Sequence, residues 1–165
     1  MLDCVINSLG RRNDLATAGL RNEDPFLVIA HSVRAVGREM MQDRMWHWWL
    51  KRPDLLVDRM REGFRPFASR DFDRSTRVGA DMVADPASLW SMVVWLLAGR
   101  VIDIAQGVHT PESDKDLTAA ILRLLGIPPD RARDLCILPV PVLPPAKIDF
   151  SFRLNDANES DSDAI

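Results

Sequence analysis

The sequence has little of what secreted, metal-binding and membrane proteins depend on. Its two cysteines, Cys4 and Cys136, lie too far apart for a disulfide framework and form no Cys-x-x-Cys pair. We therefore expect reduced thiols and a cytoplasmic protein. The first ten residues lack the basic segment and long apolar run of a signal peptide. Polar residues interrupt the most apolar stretch, residues 89–105, which falls short of the ~20 apolar residues of a membrane span.

Motifs of catalysis are also missing. The sequence contains no phosphate-binding glycine loop, nucleophile elbow or dinucleotide fingerprint. Glu39, Asp43 and His47 follow each other at four-residue spacing, which places them on one ridge of a predicted helix and suits a metal. However, no Glu-x-x-His pair accompanies them, and nearby arginines can neutralise the acids. We expect no enzyme, no metal and no cofactor; a metal-binding or enzymatic helical protein is the second alternative.

Tyrosine is absent, and the 21 basic residues are almost all arginine. This excess is typical of codon usage in a GC-rich genome, as in many bacteria, although guanidinium groups also suit anions. The segment Arg59–Arg77 is the candidate nucleic-acid surface, with Arg65, Arg70 and Arg74 as anion-binding residues and phenylalanines between them for stacking. Since no helix-turn-helix, zinc finger or RNA-binding signature is legible, a nucleic-acid-binding regulator is the first alternative function.

Apolar periodicity predicts a mainly α fold with a single helical domain, residues 24–135, of four to five helices. Residues 1–23 are expected to be partly ordered, with a short helix near residues 2–9. Residues 64–83 lose the period and are predicted to be irregular. The predicted helices cover residues 24–50, 53–63, 86–107 and 111–126, with a short helical turn at 129–135. The helix at 86–107 is apolar nearly all round, so we expect it at the centre of the domain.

The C-terminal part of the chain has a different pattern. Residues 136–154 are predicted to form an extended proline-rich arm that ends in one β-strand. In this strand, Ile148, Phe150, Phe152 and Leu154 alternate with polar residues and are expected to face an apolar surface. The strand could pair within its own chain or add to another chain. Residues 155–165 carry four acids and no base, and are predicted to be disordered.

A tryptophan cluster completes the candidate sites. Trp46, Trp48 and Trp49 point in different directions around one helix end, so one face cannot bury all three. They either plug between two layers of the fold or bind a protein partner, since tryptophan is enriched at binding hot spots. Together with the arm, they lead to the main functional prediction. It is a non-enzymatic interaction or scaffold protein that oligomerises or docks onto a larger assembly.

Overall fold

The computed structural model describes residues 1–42, 44–79 and 81–146, and in these ranges the chain forms seven α-helices and no strand. Short 3-10 turns follow α1 and precede α6. The mainly α class is confirmed, whereas the predicted number of four to five helices is wrong. The predicted strand at 148–154 and the tail at 155–165 lie outside the described residues. The helices are α1 (Leu2–Thr17), α2 (Pro25–Gln42), α3 (Arg44–Trp49), α4 (Pro53–Arg77), α5 (Pro86–Ala105), α6 (Asp114–Leu124) and α7 (Pro129–Ile137).

Helix α1 is about twice as long as predicted. Its buried apolar residues recur at three- and four-residue spacing, and Asn13 and Thr17 continue the same face as buried polar residues. The Thr17 hydroxyl donates to the Asn13 carbonyl over 2.9 Å, which satisfies it inside the helix. The helix therefore continues past residue 9, where polar side chains occupy its buried face.

Helix α2 lies at the centre of the domain. The Asp24 carboxylate accepts a hydrogen bond from the Phe26 amide at 2.9 Å, as the Asp-Pro start predicts. The helix packs against α1, α4, α5, α6 and α7. Helices α2, which ends at Gln42, and α3, which begins at Arg44, together cover most of the predicted helix at 24–50, and residue 43 between them lies outside the described residues. The expectation that the helix beginning at residue 86 occupies the centre is wrong.

Helix α4 continues to Arg77, so the prediction of irregular structure from residue 64 is wrong. Its buried face runs through Phe64, Asp71, Phe72 and Ser75, and the two polar members hide the helical period. The Ser75 hydroxyl donates to the Asp71 carbonyl over 2.9 Å. Burial of this face against other helices thus stabilises the second half of α4, although the spacing of its apolar residues does not predict a helix.

Pro66 lies inside α4 and removes one amide donor from the helix. In the turn before it, the Arg61 carbonyl accepts a hydrogen bond from the Trp90 indole of α5 at 3.0 Å. This hydrogen bond joins α5 to α4 close to the proline.

Helix α5 has one buried and one exposed side. Its Asp85 cap accepts from the amides of Ala87 and Ser88 at 3.1 Å, which confirms the predicted start. The inner side packs on α4, α2 and α6, whereas Met92, Trp95 and Leu96 are exposed. Among the described residues, α5 alone is long and apolar enough to cross a membrane, a property it shares with core helices of globular domains.

The described part of the C-terminal arm, residues 138–146, has no helix or strand and lies on its own chain. Arg34 of α2 donates to the Leu138 carbonyl at 2.6 Å, and Arg12 of α1 donates to the Pro144 carbonyl at 2.5 Å. Leu143 packs against the core. Two arginines therefore fix the extended arm across the central helix.

Candidate functional site

A cavity lies where α1, α2, α4 and α5 meet. Its volume is about 80 Å³. A single water needs only about 10–15 Å³ measured in this way, so the space is large enough for a small organic molecule. The cavity is lined by Gly10 and Asn13 of α1; Ile29, Ser32, Val33 and Val36 of α2; Phe64, Phe67, Ala68, Asp71 and Phe72 of α4; and Trp90, Val93 and Leu97 of α5.

Helical spacing explains why these side chains converge. Positions three and four apart lie on one face of a helix, and this spacing brings Phe64, Ala68 and Phe72 of α4 to one wall. On α5, Trp90, Val93 and Leu97 form the facing wall in the same way. The Phe72 and Trp90 rings meet edge to face with centroids 6.3 Å apart. The walls are therefore mainly apolar and rich in aromatic rings.

Asn13 brings an unpaired acceptor to this apolar space. The Asn13 amide nitrogen donates to the Ser32 hydroxyl at 2.9 Å. Its carbonyl oxygen is buried and has no hydrogen-bond partner. Because most buried polar groups are hydrogen-bonded, an unpaired acceptor in a cavity indicates a place for a donor from a bound molecule.

Asp71 of α4 adds a carboxylate to the lining of the cavity. One of its oxygens accepts from the Arg70 Nε at 3.0 Å. Arg70 also contacts the carboxylate of Asp14 on α1, with Nη1 to Oδ1 at 2.7 Å. This chain of charges fixes the orientation of Asp71 and ties α4 to α1. The cavity thus offers acceptors from two helices, and its lining, as far as the structure describes it, contains no cationic side chain.

A second polar cluster, separate from the cavity, lies between α2, α6 and α7. Asp114 accepts from the Nε of Arg34 at 3.4 Å and of Arg38 at 2.9 Å. His31 is buried, and neither of its ring nitrogens has a partner. Burial, and next the positive charge of Arg34, lower the pKa of His31. Burial raises the pKa of the Cys136 thiol.

The residues of the predicted tryptophan cluster are separated by burial. Trp46 is fully buried, Trp49 packs partly against the core, and Trp48 is 59% exposed. The rings of Trp48 and Trp49 meet edge to face at 4.4 Å. The other predicted partner-binding residues, Ile148, Phe150, Phe152 and Leu154, lie outside the described residues. A binding role for Trp48 therefore stays a prediction.

The structure does not bring the three predicted anion-binding arginines together. Arg70 and Arg74 are one turn apart on α4, while Arg65 lies on the other side of that helix. Arg70 is engaged with Asp14 and Asp71. Arg65 is exposed. A contact of these residues with nucleic acid stays a prediction.

Glu39 and His47, two of the three possible metal ligands, lie in surroundings that do not resemble a metal site. Glu39 accepts a hydrogen bond from Arg12 at 2.6 Å, and His47 is exposed. Asp43 lies outside the described residues. Over residues 1–42, 44–79 and 81–146 there is no group of three or more potential ligands that could hold a metal ion.

The sequence indicates the phenylalanines of α4 as stacking residues for nucleic acid, but it gives no sign of a cavity. Asn13 lies beyond the short helix predicted near residues 2–9, Asp71 lies in the segment 64–83 that is predicted to be irregular, and Trp90 lies in the helix predicted to be central. One signal in the sequence could have indicated the wall of the cavity. Asp71 and Phe72 follow Phe64 by seven and eight residues, which places all three on one face of a helix. The cavity itself depends on four helices whose packing the sequence does not state.

Comparisons with known proteins place this arrangement in a family. A family model described as "Tetracyclin repressor-like, C-terminal domain" matches residues 24–137. The structure is similar to a crystal structure of RolR in complex with the ligand resorcinol, with a TM-score of 0.77 and 22% identity over 87% of this chain and 70% of that chain. A structure of RolR without ligand gives a TM-score of 0.73 and 23% identity over 87% and 73% of the two chains. No curated protein sequence matches the chain.

These findings correct the main functional prediction. The family model describes a repressor-like domain, which contradicts an interaction or scaffold protein that works through its C-terminal arm and Trp46, Trp48 and Trp49. The alternative of a regulator agrees better with the match. The prediction that the protein is not an enzyme is confirmed, because repressor-like regulators are non-enzymatic. The match extends over residues 24–137, and the chain therefore belongs to the family of tetracyclin repressor-like C-terminal domains.

Proposed function

We propose that this chain is the ligand-binding part of a ligand-responsive, DNA-binding regulator of the cytoplasm. The observation that carries the proposal is the cavity between α1, α2, α4 and α5, which combines aromatic walls with an unpaired buried acceptor. Ligand sites are typically concave and mostly apolar, with a few polar groups that fix the orientation of the ligand. The family match supports the regulatory role, and the fold match supports the shared architecture.

The ligand class follows from the cavity's size and polarity. An apolar cavity of about 150 Å³ binds benzene, so this cavity of about 80 Å³ admits at most a single ring, which would enter with a movement of the walls. The acceptors of Asn13 and Asp71 require a molecule that donates hydrogen bonds. A small phenol meets both conditions. The similar protein RolR was solved with resorcinol, which supports this class.

A ligand of this kind would contact both α1 and α4, which pack against each other through their side chains. Asn13 belongs to α1 and Asp71 to α4, so a molecule that donates to both would favour one separation of these helices. A ligand shifts a conformational equilibrium only by its difference in affinity for the two states. Bridging α1 and α4 supplies such a difference, because each hydrogen bond depends on the position of its own helix.

Calorimetric titration with phenol, catechol and resorcinol tests the ligand proposal. We expect binding to the wild-type protein and an affinity about fivefold lower in Asn13→Ala, since one hydrogen bond contributes about 1 kcal/mol. Asn7→Ala is the matched control, because Asn7 is exposed on the same helix. Absence of heat and of thermal stabilisation with all three compounds at millimolar concentration would contradict the proposal. Equal affinity of the two asparagine variants would exclude Asn13 as a ligand contact.

We also propose that the exposed side of α5 is the homodimer interface. Met92, Trp95 and Leu96 form an apolar surface on the most apolar helix, and regulators of this family typically form homodimers. A two-fold dimer would place the same surface of both copies in contact. Contact of Arg65, Arg70 and Arg74 with DNA is a separate proposal taken from the sequence.

Light scattering after size exclusion tests the dimer proposal. We expect the wild-type protein to be a dimer and Trp95→Arg to be a monomer with unchanged helical content. Trp48→Arg is the control, because Trp48 and Trp95 are exposed to a similar extent, 59% and 53%, on different helices. If Trp95→Arg remains a dimer while Trp48→Arg dissociates, the interface lies near α3 and the assignment to α5 is wrong.

A further inference from the structure

Two glycines form an interlocking contact between α1 and α4. Gly10 of α1 lies beneath Phe67 of α4, and a Cβ atom added to Gly10 would be 2.6 Å from Phe67 Cε2 and 3.3 Å from Phe64 Cδ1. In the reverse direction, Gly63 of α4 receives the side chain of Ile6 of α1 in a contact that is also too close for a Cβ. Only the first of these contacts borders the cavity, since Gly10 and Phe67 are among its lining residues.

The backbone does not require glycine at position 10. The glycines with positive φ in the described chain are Gly79, Gly107 and Gly126, and Gly10 lies within α1. Glycine inside a helix is less stable than alanine. The missing side chain at position 10 therefore serves packing, because it leaves the space in which the Phe67 ring lies.

Phe67 differs from the other phenylalanines of α4. Phe64 and Phe72 are buried, whereas Phe67 is partly exposed. A partly exposed ring has space to move when its neighbour changes, while a close-packed ring does not. Displacement of Phe67 from its place above Gly10 alters the wall of the cavity. The size of the cavity thus depends on the contact between this residue pair.

We propose that Gly10 and Phe67 determine the size of the ligand that the cavity accepts, with Gly10 as the specificity-determining position. The inference rests on the proposed ligand-binding function. At position 10, any side chain occupies the space of the Phe67 ring and displaces the ring into the cavity, which reduces the space for a ligand. The pair restricts the ligand to a single ring that packs beside Phe67, because the Phe67 ring already covers the backbone of α1 at Gly10.

Substitution of the two glycines tests this assignment with a matched control. In calorimetric titration with resorcinol, we expect at least a tenfold loss of affinity for Gly10→Ala. Gly63→Ala disturbs the same helix pair away from the cavity, and we expect its affinity to stay within about twofold of wild type. Adding Phe67→Leu to Gly10→Ala returns space to the wall and should restore affinity to within about threefold. Wild-type affinity in Gly10→Ala, or an equal loss in Gly63→Ala, would overturn the assignment.

A second measurement does not depend on a ligand. The volume change of unfolding under pressure scales with the internal void that unfolding removes. We expect a smaller volume change of unfolding for Gly10→Ala than for Gly63→Ala. For Phe67→Leu alone, we expect a larger volume change than for the wild-type protein. The Phe67→Leu variant keeps the test possible if Gly10→Ala does not fold. If the wild-type protein binds no phenol but these volume changes appear, the proposed function fails and the control of cavity size stands. Identical volume changes in all variants would refute it.

Discussion

Arg34 and Arg38 permit a direct test of whether burial or distance determines the strength of an ion pair in this domain. Both arginines donate from Nε to the same oxygen of Asp114, Arg34 at 3.4 Å and Arg38 at 2.9 Å. The side chain of Arg34 is 3% exposed and that of Arg38 is 42% exposed. The shorter contact is therefore the more exposed one, and the two criteria predict opposite rankings.

The magnitudes follow from the surroundings of each residue. Removal of one partner from a buried pair costs about 3–5 kcal/mol, and Arg34→Met should lie near 3 kcal/mol because Arg38 continues to neutralise Asp114. Arg34→Met also leaves the Leu138 carbonyl without its donor. For Arg38→Met we expect less than about 1 kcal/mol, since water screens the half-exposed pair.

Urea denaturation followed by circular dichroism measures both values. With a slope of about 2 kcal/mol per molar urea, Arg34→Met should lower the midpoint by about 1.5 M and Arg38→Met by less than about 0.5 M. The two proteins should have equal slopes, which shows that they unfold from the same compact state. A loss of stability for Arg38→Met as large as that for Arg34→Met would refute the reasoning that burial determines the effect.

Two further predictions concern titratable side chains. The folded-state pKa of His31 lies below the unfolded value near 6.5, so the unfolded chain binds the proton first as the pH falls and the free energy of unfolding decreases below that pH. The melting temperature should therefore fall from pH 7.5 to pH 5 more in the wild-type protein than in His31→Phe; equal losses would contradict this role. Exposed Cys4 should react with a thiol reagent at pH 8 within minutes and Cys136, buried and with a raised pKa, only after unfolding. A Cys4→Ser protein that reacts rapidly in its folded state would disprove it.

Several elements of the fold were readable from local chemistry. The Asp-Pro pairs at residues 24 and 85 marked the starts of α2 and α5, because an aspartate cap and a proline in the first turn are local features that no distant contact has to supply. Local rules failed in α1 and α4, where Asn13, Asp71 and Ser75 occupy buried helical positions. A pattern based on apolar residues cannot register a buried polar side chain, whether its partner is one turn away, as for Ser75, or on another helix, as for Asn13.

The candidate site was less predictable than the fold. Its polar groups come from α1 and α4, and the contact between Gly10 and Phe67 joins positions 57 residues apart in sequence. From the sequence alone, Gly10 appears only as a residue that destabilises a helix. The sequence does not show that the Phe67 ring occupies the space left by the missing side chain. The tryptophan cluster was conspicuous for its composition alone, and burial then distributed Trp46 and Trp48 between the core and the surface.

By itself the sequence determined the helical class, several helix starts and the absence of recognisable catalytic motifs, because each depends on neighbours within a few residues. Only the tertiary structure decided that α2 is central, that one side of α5 is exposed and that four helices enclose a cavity. It also placed the described part of the arm on its own chain, through Arg12 and Arg34. These properties arise from packing between distant segments, where burial assigns a role to a residue that its local pattern leaves open.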